Sequence, residues 1–594
     1  MKAIEYLREP GEVTSEEKES TELSLFVRTS DEEIKKWDRA KIYDALIRET
    51  TISHDAASIV AREVEKLISE LELDVVTSPL IRELTNSKLV EYGLAKIRKQ
   101  HTRLGVPLYD ARQIIMNPNK ENANVPHGPE ATNLTLSERI KKEFALLEVF
   151  SQDMADAHMR GDIHLHDLGM VDRPYCSGQS IEYVKKFGLN LPNAISIAKP
   201  AKHPEVLIEQ IINFSAALQG HFAGAIGWDA VNIFLAPYLS NVDDERMKQL
   251  AQILIFEFAQ QAVARGGQSI FSDLILYWEI PDHFVNVTAI GPKGEFSGSN
   301  YSDYLEESQR FLMALFDVYM EGDALGRPFF FPKPNVHMTD KFFSTEGHED
   351  FLVKISEVAS EKGNTYFVFD RGNTAKISEC CRLIFKLDKS DLDDAKTPWK
   401  MRYSAMQNAT INLPRVAYEA HQDDSKLFEL LRERVEMVAR AHVEKREFAL
   451  LTMNLDGEPY YRLQKASFLV GMVGLNEMVQ YHTGQQMHES RDSLKFGLKI
   501  IASMKSESER IGEEYGIRMP LEQTPAESTA YRFARLDMKY YPLQAPTVIR
   551  GNKSTGEVYY TNSTYINVGA AVSAIERVKM EGLFHPLIEA GSLT

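Results

Sequence analysis

An α/β barrel is the fold this sequence predicts, and three observations carry that expectation. The chain has 594 residues, more than one hydrophobic core supports, so a large body with a smaller companion domain is expected. Segments of helical periodicity at 137–158, 204–220, 244–265 and 303–320 lie between short apolar runs fit for buried strands. Those runs are FVFD (367–370), ATINL (409–413) and FALLTM (448–453), and hydrogen-bonding residues gather at short strand-end loops.

Taken in chain order, residues 1–21 are charged, poor in apolar side chains and read as disordered. Residues 22–95 form a compact, mainly helical domain. Within it, LFVRTSDEEIKKW (25–37) reads as two short strands around a polar turn. Ile42, Leu46, Ala56, Ile59, Val60, Val64, Leu67 and Ile68 recur at helical spacing, and Thr77-Ser78-Pro79 opens a further helix. Residues 96–132, rich in Asn, Pro and Gly, read as a linker or arm, and 133–594 as the large α/β body.

Composition narrows the class. A chain 43% hydrophobic and 26% charged, with no apolar run near the roughly 18–20 residues that cross a bilayer, predicts a protein without membrane partners. The opening MKAIEYLREP lacks the basic-then-apolar order of a signal peptide, so a cytoplasmic location is expected. A net charge of −18 disfavours nucleic acid as a partner. It leaves room for phosphorylated small molecules, which helix N-termini hold without cations.

Three cysteines, Cys176, Cys380 and Cys381, are too few for a disulfide framework, and the adjacent pair fits no tetrahedral zinc site. By themselves they read as buried small hydrophobes. Asn412, ending an apolar run before Pro414, places an amide at a strand end. The segment Thr524–Arg532 offers hydroxyls and free N–H groups to a phosphate; read plainly, it is a capping box with Thr524 as N-cap and Glu527 at N3. Tyr560–Tyr565 is either a polar turn or a binding segment. His164 and His166 alternate onto one face beside Asp167; metal ligation is open to them, a structural role is preferred, and no metal site is assigned.

In this order the segments GDIHLHDL (161–168), RPYCSG (173–178), ARGGQSIFSD (264–273), FFFPKPN (329–335), ECCRL (379–383), ATINLPR (409–415), VGLNE (473–477), TPAESTAYRFARLD (524–537), YYTNSTYINV (559–568) and EGLFHPLIEAG (581–591) resemble the anaerobic, class III ribonucleoside-triphosphate reductases. The resemblance implies a ten-stranded α/β barrel with a central finger loop, reducing ribonucleoside triphosphates to deoxyribonucleotides. It implies a glycyl radical that generates a thiyl radical on Cys381, with Cys380 as the competitor for that role and Cys176 as second hydrogen donor. Asn412 would orient the ribose hydroxyls, and Glu477 would accept or relay a proton. Thr524, Ser528 and Thr529 would hold the triphosphate, with Asn562 and Ser563 as further substrate contacts. A homodimer, a radical S-adenosylmethionine activating enzyme and ATP or dNTP effectors are implied as partners. Either formate or a redoxin serves as reductant, formate being preferred.

Two departures qualify the resemblance. The chain stops at Gly591-Ser592-Leu593-Thr594, where the family continues into two CxxC pairs that bind structural zinc and then the radical glycine. Truncation is the expectation, and a chain lacking that tail is expected to be inert. Residues 22–95 resemble the regulatory ATP-cone at Trp37–Ile42 and Thr77–Leu84, but the usual Lys-Arg pair and glycine turn are replaced by Val27-Arg28-Thr29-Ser30-Asp31 with Glu32 and Glu33. Losing a cation and gaining carboxylates weakens triphosphate binding, so a degenerate cone is expected, with Arg28, Arg39 and Lys41 its remaining candidate contacts. Two alternatives stay open: a glycyl-radical lyase acting on acyl compounds, to which adjacent cysteines are also suited, and a nucleotide-binding regulatory protein without catalysis.

Overall fold

The computed structural model describes residues 26–28, 34–71, 75–118, 126–191, 196–262, 265–370, 376–379, 383–386, 393–452, 461–524 and 527–590. It contains two compact units, Met1–Gly105 and Val106–Thr594.

In the first unit, β1 (Phe26–Arg28) pairs antiparallel with β2 (Ile34–Lys36), as the polar turn between them predicts, and parallel with β3 (Val75–Thr77). Ile42 and Leu46 from helix Ala40–Glu49, and Val60, Val64 and Ile68 from helix His54–Glu70, join Val27 and Trp37 in one small core. Thr77 caps helix Ser78–Glu91 by accepting the Leu80 N–H at 3.3 Å, with Pro79 in the first turn. Helix Ala95–Gln100 buries Ile97 in the same core, so the unit extends past the expected boundary at 95. The stretch expected to be a linker or arm contains helix Leu108–Met116, which buries none of its residues.

The second unit is built on one nine-stranded sheet. Its strands are β4 (Ile163–Leu165), β5 (Cys176–Ser180), β6 (Ile226–Asp229), β7 (Ser272–Tyr277), β8 (Lys333–Met338), β9 (Tyr366–Phe369), β10 (Arg402–Asn412), β11 (Ser467–Val473) and β12 (Leu521–Glu522). Strands β5 to β9 run parallel, and so do β10 to β12. The two parallel halves meet along an antiparallel seam, where β5 pairs with the start of β10 and β4 with its end. Every residue of β6 and β7 is buried, as parallel strands covered on both faces require. A tenth strand is not found in this sheet among the described residues.

Which face looks inward follows from the side chains. The Trp228 indole donates to Ser215 of helix Pro204–Gln219 at 2.8 Å, which turns Gly227 and its register partner Gly178 to the opposite face. The first strand of the hairpin Lys376–Glu379/Leu383–Lys386 lies against β5, β6 and β7. In β10 a β-bulge sets Ala405 opposite Ser467 but Gln407 opposite Phe468, so one extra residue reverses the alternation.

One element departs from expectation. FALLTM is not a strand: residues 448–452 end helix Asp424–Thr452, whose buried stripe of Val435, Val438, Ala441, His442, Lys445 and Ala449 continues through the apolar run at helical spacing. The segment 137–158 is divided between helices Pro129–Phe144 and Gln152–Arg160 by a π-turn at Ala145–Val149. No described helix is long and apolar enough to cross a membrane.

Candidate active site

Cys176 opens β5 opposite Ala405 and is 1% exposed. Gly224 makes its seat, since a Cβ there would lie 2.3 Å from the sulfur. Cys176 is disulfide-bonded. Cys380 and Cys381 lie outside the described residues.

Beyond the bulge, Asn408, Thr410 and Asn412 share the inner face with Ala405. The Asn408 amide donates to the Glu522 carboxylate and, at 3.4 Å, to Thr524 Oγ1. The Thr524 hydroxyl donates to Glu522 at 3.0 Å. Thr410 Oγ1 lies 2.8 Å from His166 Nε2. These groups surround Gly471, where a Cβ would stand 2.2 Å from Thr524 Oγ1, 2.4 Å from Thr410 Oγ1 and 3.0 Å from Asn408 Oδ1. Asn408 Oδ1 is buried without a hydrogen-bond partner among the described residues. An orphaned acceptor beside hydroxyls, at a gap a glycine keeps open, is arranged to take a hydroxyl-bearing group.

Asn412 has other duties. Its amide donates to the Gly161 carbonyl and to Asp537 Oδ2, both at 3.0 Å. Asp537 also accepts from Arg415 Nε at 2.9 Å and from Tyr560 Oη at 2.9 Å, while Arg415 reaches Asp162 at 3.0 Å. This buried network ties helix Glu527–Tyr540 to the end of β10. Cys176 pairs with Ala405 and, allowing for the bulge, Asn412 stands six positions further along the ladder, roughly 20 Å by strand rise. The structure therefore does not bring Asn412 to Cys176; it brings Asn408 nearer, and it gathers Thr524 around Asn408.

Glu477, fully buried, accepts from Thr561 Oγ1 at 2.6 Å, from the Thr561 N–H at 3.0 Å and from Arg550 Nε at 3.1 Å. So engaged, it anchors the Tyr560–Tyr565 loop. In that loop Ser563 donates to the Thr524 carbonyl at 2.9 Å, and Asn562 bridges to Val473. The helix expected to be capped by Thr524 begins at Glu527, so Glu527 cannot be its third residue and the Thr524 hydroxyl serves Glu522 instead. Ser528 is exposed and Thr529 buried in its first turn, where helical N–H groups lack internal partners.

The histidines cluster: His164 stands 5.1 Å from His158 and 4.6 Å from His166 between ring centroids. Burial pushes His158 down to about 2 and His166 to about 4, so all are neutral near pH 7. No group of three or more ligating side chains that could hold a metal exists among the described residues. Sequence reasoning missed Asn408, Thr410, Gly471 and Glu522; the polar residues alternating into an apolar strand were the available signal.

The first unit holds a separate, open cavity of about 920 Å³, lined by Lys35, Lys36, Lys41, Arg48, Arg82 and Arg103 and also by Asp38, Asp44 and Glu49. Arg82 and Arg48 each pair with Glu49 at 2.8 Å. Arg39 turns to Glu65 at 3.0 Å, and the Arg28 side chain lies outside the described residues.

Comparison with known proteins agrees with this architecture. The family model for anaerobic ribonucleoside-triphosphate reductase matches residues 121–594. The reductase of Escherichia coli is 23% identical over 80% of this chain and 68% of its own length. That of phage T4 is 20% identical over 80% of each. The Thermotoga maritima anaerobic ribonucleotide reductase in complex with dATP and CTP shares the fold with a TM-score of 0.63 at 18% identity, over 79% of this chain and 80% of that one. A mixed α/β body on a curled sheet, matched over most of its length by that model, places the chain in the anaerobic ribonucleoside-triphosphate reductase family.

Proposed function

We propose that this chain reduces ribonucleoside triphosphates through a thiyl radical on Cys381, with Cys176 as hydrogen donor and Asn408, rather than Asn412, orienting the ribose hydroxyls. The supporting observation is the β10 ladder: its bulge turns Asn408 to the face that already holds Cys176, beside Thr524, Thr410 and the gap at Gly471. Closure of the sheet into a ten-stranded barrel around the cysteine-bearing loop belongs to the same reading. What a glycyl radical supplies is removal of a hydrogen atom from the loop thiol. The zinc of the family's tail has no ligand set among the described residues, and no step passes through it.

The remaining work falls to this chain. The orphaned Asn408 Oδ1 accepts a ribose hydroxyl proton while Glu522 and Thr524 fix the amide. The first turn of helix Glu527–Tyr540, with Ser528 and Thr529, meets the phosphates. Water leaves C2′, and two thiols deliver two hydrogen atoms and end as a disulfide. A disulfide so formed would need a redoxin to reopen it, whereas formate would take the place of the second thiol, and turnover with each decides between them.

The first unit is a nucleotide-binding regulatory domain in this reading, because its cavity exceeds the few hundred Å³ a nucleotide needs and is edged by cations, Lys41 among them. Arg39, held by Glu65, is not one of its contacts. A homodimer and a radical S-adenosylmethionine activating enzyme complete the assembly.

The test is anaerobic turnover of CTP by the activated protein, with formate or a dithiol redoxin. Deoxynucleotide formed with one of the two reductants, and lost in Cys381→Ala and Cys176→Ser, is the expected result. Product from Cys381→Ala would sink the thiyl assignment.

A further inference from the structure

The Tyr560–Tyr565 loop turns sharply where the Tyr565 N–H donates to the Asn562 carbonyl at 3.1 Å, and Ser563 takes the first inner place of that turn at φ 42°. Turns with a positive φ there are built mostly from glycine, asparagine or aspartate, because a Cβ crowds the neighbouring carbonyl. A serine in that place is strained, and such strain persists only where the surroundings over-determine it. What serine has and glycine lacks is a hydroxyl. Ser563 is 0% exposed, and its hydroxyl donates to the Thr524 carbonyl at 2.9 Å, with Asn562 Oδ1 a longer contact at 3.4 Å.

The next residue adds a second tie. Gln523 Nε2 donates to Thr564 Oγ1 at 3.0 Å. Two consecutive loop residues thus hold the two residues that follow β12, and all four are buried.

The loop is itself braced from behind. The Gly474 N–H donates to the Thr561 carbonyl at 2.9 Å, and the Leu475 N–H to the Ser563 carbonyl at 3.2 Å. Gly474 stands at φ 83°, and a Cβ there would lie 2.4 Å from Pro414 Cγ, so the loop is seated against the ends of both β11 and β10. Arg550, already bound to Glu477, also reaches Gln480 at 2.5 Å and Gln486 at 2.8 Å. A brace this dense is more than an ordinary surface turn needs, and it ends on Thr524, whose hydroxyl meets Glu522 and Asn408.

We infer that Ser563 and Thr564 are positioning residues: they clip Thr524, and through it Glu522 and Asn408, into the geometry that reads the ribose hydroxyls. The inference rests on the reading of Asn408 as the ribose contact. A group misplaced by about 1 Å loses on the order of a hundredfold in rate, so the support behind that contact matters as much as the contact.

The test reads binding and needs no radical. CTP and 2′-deoxyCTP are titrated calorimetrically into the full chain, with the Asn408→Ala chain reporting binding elsewhere on the protein. The parent is expected to prefer CTP by about tenfold, the worth of one hydroxyl hydrogen bond. Ser563→Gly, which suits the turn but lacks the hydroxyl, should cut that preference to about twofold at an unchanged unfolding midpoint. Thr564→Val should cut it part of the way, and it decides alone if Ser563→Gly does not fold. Ser563→Gly added to Asn408→Ala should change nothing further, as expected of residues acting through one contact. A parent-like preference in both variants, or a further loss on top of Asn408→Ala, overturns the clip. A parent without preference would count against the ribose contact assigned above. Hydrogen exchange at Leu521–Thr524 then judges the clip by itself: about tenfold faster exchange in Ser563→Gly supports it, and a parent-like rate overturns it.

Discussion

Strand β10 carries asparagines at two of its inner positions into contrasting surroundings. At Asn412 the amide is bound into a buried charge network of Asp537, Arg415 and Asp162, which joins sheet to helix. At Asn408, four residues earlier, the amide is fixed by Glu522 and Thr524, and the carbonyl oxygen faces a gap kept by Gly471. The difference lies in what holds each NH2 group, since the carbonyl oxygens of both amides are buried without a hydrogen-bond partner among the described residues.

The strongest way to break this contrast is at the charges. Removing one partner of a buried ion pair costs about 3–5 kcal/mol, so Asp537→Ala should lower unfolding stability by that order in denaturant titration. A smaller loss would place the anchor elsewhere. Next comes the pair of asparagines itself. Asn408→Ala should reduce kcat/KM about a hundredfold with little change in stability, since an acceptor aimed at substrate is lost. Asn412→Ala should instead cost about 1–3 kcal/mol of stability and leave turnover per folded molecule near the parent's. Exchange of these two outcomes would restore Asn412 as the ribose contact.

The smallest effect is a pH dependence. His166, beside Thr410, is lowered by burial from 6.5 to about 4, so between those values the unfolded chain binds the extra proton. Stability is therefore intact above pH 6.5 and falls as pH drops toward 4, at up to about 1.4 kcal/mol per unit for each such group. Urea titrations at pH 7, 6 and 5 should show a shallower fall in His166→Gln than in the parent.

Much of this was legible in the sequence. The strand pair before Trp37, the Thr77 cap, and the runs FVFD and ATINL fall where periodicity and capping chemistry place them. FALLTM misleads because a short apolar run is shared by buried strands and helix ends, and only the stripe back to Val435 separates them. The role of Thr524 was obscured because its local pattern is a capping box, whereas its hydroxyl answers to Glu522 and the helix starts three residues later. Glu477 stands out as a carboxylate in a motif, yet its neighbours Thr561 and Arg550 come from residues over seventy positions away. Asn408 was hidden for a different reason: strict alternation from Ala405 would send it to the outer face.

That last point gives the bulge in β10 a meaning for how such a chain tolerates change. Met406 acts as a phase shift, letting the cysteine side of the seam and the amide side look into one interior. Deleting that single residue would turn Asn408, Thr410 and Asn412 outward together and bring Gln407, Ala409 and Ile411 in. Substitutions can explore this strand one position at a time. A change of length within it cannot be explored by small steps, because it rewrites the whole lining at once.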